Sequence, residues 1–215
     1  MAVFAILLTA MGLYGRHIFP RLMDWVMSGG EFQRLRTALL KNARGEVLEI
    51  GFGTGLNLPY YPTNISSLSI VDPARLLPHK VVARAVARSF PLHTQHVTAE
   101  TLPYRDHQFD SVVSTWTLCT IPDPVKALRE VRRVLKPDGR FLFLEHGRSD
   151  DETVAKWQDR LNPVQNVIGC GCNLNRRIDR LIELGGLRIV HLDRFQMHAV
   201  PRIGGEMYGG RAARA

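Results

Sequence analysis

The chain has 215 residues, 28 lysines and arginines against 20 acids, a formal net charge of +8, and 45% hydrophobic residues. That length fits one α/β domain with a sizeable core, and the balance of apolar and charged residues excludes wholesale disorder. A basic surface attracts anionic partners, but no basic segment is interleaved with aromatics as in a single-strand binding surface, so nucleic acid is not an expected partner.

Residues 1–15 are almost wholly apolar apart from Thr9. As a helix rising about 1.5 Å per residue they reach about 22 Å, short of a hydrocarbon core of about 30 Å. No basic region precedes them and no clear small-residue cleavage site follows, which argues against a secretory signal. Arg16, His17 and Arg21 come next and would hold the remainder on the cytoplasmic side if the segment enters a membrane. Burial against the domain, membrane insertion and a shallow interfacial anchor stay open for residues 1–15, and with them a peripheral membrane contact. Residues 16–44 read as two helical pieces, with Ile18, Leu22, Trp25 and Val26 in phase before Ser28-Gly29-Gly30, and Phe32, Leu35, Ala38 and Leu39 after it. The chain thus divides into an amino-terminal segment with a helical lid, 1–44, and a main domain, 45–215.

Strands and helices then alternate. Residues 47–50 form a first strand, with a helix beginning near Gly55 and broken at Pro59. A second strand at 68–71, a helix over 76–88 and a third strand over 92–97 follow. After a fourth strand at 109–114, Val125, Leu128, Val131, Val134 and Leu135 share one side of a helix. Lys136-Pro137-Asp138-Gly139 predicts a stop and a turn before a fifth strand at 140–145. Beyond Arg148 come a helical stretch at 154–161, a Gly/Cys-rich loop, a helix near 175–184, a strand at 187–195 and a short last strand near Met207. This alternation demands a seven-stranded, mostly parallel sheet with right-handed crossovers and helices on both faces.

Residues 46–55, EVLEIGFGTG, run from an apolar strand through Glu49 into a loop with glycines at alternate positions, Gly51, Gly53 and Gly55. Seventeen residues after Gly55, the second strand ends on Asp72. Glycines let the backbone approach a ligand, and an acid at the next strand's tip accepts hydrogen bonds from two ribose hydroxyls. The dinucleotide fingerprint needs its third glycine one place later, where this chain has Leu56. Glu49, two places before the first glycine, is also atypical of NAD sites. Both departures suit S-adenosylmethionine, which has no pyrophosphate to cradle.

With these residues in place, the chain resembles the class I S-adenosylmethionine-dependent methyltransferases (the methyltransferase type 11 family) over roughly residues 12–212. Glu49 to Gly55 matches the first family motif, and Asp72 its ribose-binding acid. Residues 99–104 followed by Phe109-Asp110 match the segment bordering the adenine, with Thr98 where many relatives carry an acid. Residues 128–139 match the helix-to-strand signature. The resemblance implies a single Rossmann-like domain, S-adenosyl-L-methionine as cofactor, and cofactor contacts from Glu49, Gly51, Phe52, Gly53, Gly55, Asp72, Pro73, Ala99, Glu100, Thr115 and Leu118. Residues 114–121, Leu144-Glu145-His146-Gly147 and Gly171-Cys172-Asn173-Leu174-Asn175-Arg176 occur in this order in small bacterial enzymes similar to the membrane-associated thiol S-methyltransferases of animals. A small lipophilic acceptor, a thiol above others, is what this narrower resemblance implies.

His146 ends the fifth strand, where an imidazole of ordinary pKa near 6.5 suits a general base; a hydrogen-bonded structural histidine is the alternative. Trp116 follows the fourth strand as an acceptor wall or a core aromatic, and Trp116 or Phe52 offers a ring to the sulfonium. Cys172, Asn173 and Arg176 either line the acceptor pocket or hold a loop and cap the helix starting near Asn175. Tyr14, His17 and Asp24 belong to the lid, Tyr14 with an acceptor contact. Cys119, Cys170 and Cys172 are too few for a disulfide framework, and reduced cytosolic thiols are expected. Without a C-x-x-C pair or a histidine cluster, no metal site is expected. Direct in-line methyl transfer asks the protein mainly to align donor and acceptor within about 3–3.5 Å and exclude water. Two alternatives stand beside thiol methylation: a lipid or quinone methyltransferase (phosphatidylethanolamine, menaquinol or ubiquinol type) at the membrane surface, and a non-enzymatic module binding S-adenosylmethionine or a metalloid.

Overall fold

The computed structural model describes residues 12–85 and 89–215. Most of the apolar amino-terminal segment, residues 1–11, lies outside the described residues. A π-turn at Tyr14–Ile18 leads into helix α1 (Phe19–Val26), and α2 (Gly30–Leu40) follows the expected break. Seven strands come next: β1 (Glu46–Ile50), β2 (Ser67–Val71), β3 (Leu92–Gln95), β4 (Phe109–Thr115), β5 (Leu135–His146), β6 (Leu187–Gln196) and β7 (Glu206–Arg214). Helix α3 (Pro78–Ala85) precedes β3, α4 (Pro124–Val134) precedes β5, and α5 (Glu152–Ile168) and α6 (Ile178–Leu184) precede β6.

The sheet order is β3-β2-β1-β4-β5-β7-β6. Neighbours from β3 to β5 pair in parallel, and β7 runs antiparallel to both β5 and β6. The chain winds outward from β1 to β3 and then returns to place β4 on the other side of β1. That reversal makes the carboxyl ends of β1 and β4 a topological switch point, where open α/β sheets bind ligands. Ile50 pairs with both Val71 and Ser114, so the three strand ends form one ledge.

Both sheet faces are apolar because successive side chains alternate. Leu48 and Ile50 join one core cluster with Leu128, Val131 and Ile182, while Val47 joins another with Leu40, Leu68 and Val113. Helix α4 shows how the sequence encodes this. Asp123 caps it by accepting from the Lys126 amide, Pro124 sits in its first turn, and Ala127, Leu128, Val131 and Val134 form its buried stripe. Leu128 is fully buried, so its truncation to alanine costs about 2–5 kcal/mol.

Local expectations need correction at four points. The helix near Gly55 is a single 3-10 turn at Leu58–Tyr60, since positive φ at Gly53 and Gly55 and Pro59 within the turn prevent a longer one. Residues 136–139 do not end in a free turn: β5 already pairs Leu135 with Phe109, and the four residues bulge before Arg140 pairs with Ser111. Helix α5 runs past 161 to Ile168 with Pro163 inside it, started by Asp151, whose carboxylate accepts from Thr153 and Val154 amides. The helix expected from Asn175 begins at Ile178, and Asn175 donates to Asp159 instead of capping it.

Candidate active site

The loop after β1 holds Gly51, Gly53 and Gly55 at φ of +70°, +59° and +78°. Two of these glycines answer different demands. A Cβ on Gly51 would stand 2.1 Å from the Thr117 side chain, so the loop after β4 requires the absent side chain. A Cβ on Gly53 meets nothing within 4 Å, which leaves its backbone open to a ligand. The Gly53 amide donates to Asp72 Oδ2 and the Ala74 amide to Asp72 Oδ1, both at 2.8 Å. Burial raises the Asp72 pKa against these two bonds. Each carboxylate oxygen keeps a second acceptor direction for a hydroxyl.

Phe52 and Gly53 line two cavities that meet at the glycine loop. One is walled by Phe19, Met23 and Asp24 of α1, by Glu49, and by Thr115 and Trp116; the other by Asp72, Leu76, Thr94 and His96. Helix α1 thus covers the site, and Asp24 is buried there in ion pairs with Lys80 and Arg84, the latter at 2.9 Å. An elongated ligand crossing Gly53 would place one end beside Glu49 and the other beside Asp72.

Glu49 is buried at the floor of the first cavity. Its Oε1 accepts from Asn57 Nδ2 at 2.8 Å and its Oε2 from the Tyr61 hydroxyl at 2.7 Å. Burial pushes its pKa up to about 7, opposed by those bonds and by the Arg36 charge. Asn57 also donates to Thr115 Oγ1 and accepts from Arg36 Nε at 3.1 Å. Arg36, brought down to a pKa of about 10 by burial, stacks its guanidinium 4.9 Å from the Trp116 ring centroid. Phe32 packs against the same ring at 5.3 Å. Trp116 has φ of +49°, a strained conformation held by its amide bond to the Leu144 carbonyl. Its ring already serves a cation of the protein.

Outside the lining of these two cavities, the β4 exit, the β5 end and the loop after α5 converge. Glu145 is fully buried and accepts from Ser114 Oγ at 2.6 Å and from the Thr117 and Leu118 amides, which fixes the β4 exit. Burial raises its pKa to about 7 despite those bonds. His146 Nε2 lies 3.1 Å from Cys172 Sγ, and its Nδ1 is buried without a partner among the described residues. Burial alone would lower the imidazole pKa, but the bond to Cys172 and the charge of Glu145 outweigh it, and the net shift is upward. The Cys172 thiol is raised by its bond with Cys119 and by burial, against the influence of His146.

Asn173 holds the loop, donating to the Cys119 and Gly171 carbonyls and accepting from Asn162 and Asn166. Arg176 donates from Nη1 to the Leu118 and Ile121 carbonyls and so clamps the β4 exit. The Tyr14 hydroxyl donates to the Ile168 carbonyl at the end of α5, which ties the amino-terminal turn to that helix. Among residues expected near the cofactor, Gly51, Phe52, Gly53, Glu49 and Thr115 line the first cavity and Asp72 the second. Gly55 packs against the Phe52 ring. Pro73 is exposed beside Asp72, Glu100 accepts from the Asp123 amide, Ala99 is buried, and the Leu118 side chain points into the core. Arg36, Asn57 and Tyr61 escaped the sequence reading; only the acidic Glu49, which needs buried partners, hinted at them.

The fold and these two cavities suit an α/β domain that takes a nucleoside ligand at the switch point. Comparison with known proteins narrows that class. A family model described as a methyltransferase domain matches residues 48–143. A thiol S-methyltransferase of Rattus norvegicus is 34% identical over 72% of this chain and 65% of its own length. A phosphatidylethanolamine N-methyltransferase of Cereibacter sphaeroides is 31% identical over 65% of this chain and 70% of its own. The chain spans less than two thirds of the first curated relatives it matches, 65% of the rat protein and 34% of a mitochondrial methyltransferase of Saccharomyces cerevisiae. A solved geranyl diphosphate methyltransferase in complex with S-adenosylmethionine shares the fold, with a TM-score of 0.66 at 14% identity over 86% of this chain and 88% of that one. The chain belongs to the class I S-adenosyl-L-methionine-dependent methyltransferases, and S-adenosyl-L-methionine is the cofactor of that class.

Proposed function

We propose that this chain methylates a small lipophilic thiol. The observation that carries the reading is the part-buried His146–Cys172 pair at 3.1 Å at the end of β5, in a chain with 34% identity to a thiol S-methyltransferase. S-adenosylmethionine supplies a methyl group already activated on a sulfonium. The open backbone at Gly53 fits its passage across the loop, Glu49 is placed for its ammonium, and Asp72 for its ribose hydroxyls. Helix α1 and Trp116 wall the first cavity and would limit the access of water to it. A thiol of ordinary pKa near 8.5 needs only a modest base, and His146, its pKa shifted upward by the bond to Cys172 and the charge of Glu145, would accept that proton. No carboxylate pair is needed, because alignment and desolvation do most of the work.

A second reading, a lipid or quinone acceptor at a membrane surface, has its own support. Leu13, Ile18, Leu22 and Trp25 are exposed on the amino-terminal helices, and Trp157, Leu161, Val164 and Ile168 on α5. The Tyr14–Ile168 bond places the two groups side by side. No helix of the described residues is long and apolar enough to cross a membrane, so the contact would be peripheral. Methyl-labelled S-adenosylmethionine offered with alkyl thiols, phosphatidylethanolamine and quinols separates the readings. Label in the thiols supports the first; label only in the lipid or quinol overturns it.

A further inference from the structure

The sequence offered Cys119, Cys170 and Cys172 as its thiol group, and the fold changes the membership. Cys170, at φ of +50°, faces the amino-terminal turn, its Sγ 3.4 Å from where a Cβ on Gly15 would stand. His146 takes its place. Cys119 Sγ, Cys172 Sγ and an imidazole nitrogen of His146 lie within 4.8 Å of one another. They come from three separate places in the chain: the β4 exit, the end of β5 and the loop after α5. Cys119 and His146 are buried and Cys172 is partly exposed.

We infer that Cys119, His146 and Cys172 form a binding site for a soft divalent cation of the zinc class, with its fourth position open on the Cys172 side. The donor set suits that ion. Two thiolates and one imidazole with an open place are a catalytic type of zinc site, whereas structural sites close with a fourth protein ligand. Ligand distances of about 2.0–2.3 Å place donor atoms about 3.3–3.8 Å apart around a tetrahedral ion, so a cluster already within 4.8 Å needs only small side-chain adjustment. Charge balances as well. Two thiolates neutralise the cation. Without an ion the two sulfurs make only weak bonds: Cys119 Sγ lies 3.6 Å from the Trp116 carbonyl and 3.4 Å from Thr120 Oγ1, and Cys172 Sγ lies 3.1 Å from His146 Nε2. Binding breaks two S–H bonds, forms two metal–sulfur bonds and releases two protons to solvent, with no change of oxidation state.

The fourth place suits an acceptor thiolate, an extension that rests on the thiol reading above. His146 cannot act as base while it is a ligand. In the loaded protein the acceptor S–H bond would break as its sulfur bonds the cation, its proton leaving to solvent, and the cation would hold that sulfur deprotonated.

Cobalt(II) is the probe. Titrated into the reduced full-length chain, it should bind once per molecule and give the ligand-field bands of a tetrahedral site and a thiolate-to-cobalt charge-transfer band, all bleached by zinc. Cys172→Ser should roughly halve the charge-transfer intensity and weaken binding at least tenfold, and Cys170→Ser should change neither. Wild-type protein, folded by circular dichroism, that shows no such bands overturns the inference, as do bands lost equally in Cys170→Ser. Thiol methylation by protein that takes up no cobalt overturns the metal site and leaves the proposed function standing. Cobalt uptake without methylation of any thiol does the reverse.

Discussion

The glycine loop makes two substitutions of the same size differ in kind. In Gly51→Ala the new methyl group carries left-handed strain of about 1–2 kcal/mol. It also meets Thr117 at 2.1 Å, and relieving that overlap costs a further 1–3 kcal/mol or so. A total loss of about 2–5 kcal/mol lowers the melting temperature of a chain this size by roughly 4–20 °C. Gly53→Ala carries the strain alone, since its Cβ meets no atom within 4 Å, so the expected drop is about 2–8 °C. On the proposed placement its methyl group fills the space through which the cofactor would cross the loop, so S-adenosylmethionine affinity should fall at least tenfold, about 1.4 kcal/mol. Thermal melts and isothermal calorimetry with S-adenosylmethionine measure both quantities. A Gly53→Ala protein that binds the cofactor as tightly as the parent refutes the assignment of that open space.

Other consequences follow from the same geometry. Glu49 and Glu145 are raised from 4.5 to about 7 in the folded chain, so between those pH values the folded state keeps protons that the unfolded state has released. Stability therefore falls as pH rises through that window, by about 3 kcal/mol per group, and Glu49→Gln should flatten the urea-denaturation curve measured at pH 5 and pH 8. Asp72→Ala, which removes the proposed ribose acceptor and frees the Gly53 and Ala74 amides, should abolish calorimetric cofactor binding while the far-ultraviolet dichroism stays native. Arg176→Met leaves the Leu118 and Ile121 carbonyls without their donor and should cost about 1–3 kcal/mol in denaturant unfolding, with no loss expected if the arginine points only at solvent.

The parts of the site legible in the sequence are those encoded locally. The alternate glycines and the acid ending β2 sit at fixed offsets from apolar strands, and strand polarity alone places them on one edge of the sheet. The partners of Glu49 lay beyond that reach. Arg36 comes from α2, Asn57 and Tyr61 from either side of a 3-10 turn, and only the folded loop collects them around one carboxylate. The pairing of Cys172 with His146 lay beyond local reach for a similar reason. Cys170 and Cys172 are neighbours in the chain, yet positive φ at Cys170 and Gly171 turns the loop so that Cys172 alone meets His146. The strand bulge at 136–139 was hidden because Pro137 and Gly139 also describe a free turn, and pairing with β4 decides between them.

The central claim is transfer of a methyl group from S-adenosylmethionine to a thiol. A single turnover with methyl-labelled cofactor and an alkyl thiol, followed by mass spectrometry, tests it most directly. The account predicts labelled methyl thioether appearing in step with S-adenosylhomocysteine, and both slowed in Gly53→Ala. Bound cofactor with no labelled thioether, while the label passes to phosphatidylethanolamine or a quinol, contradicts it.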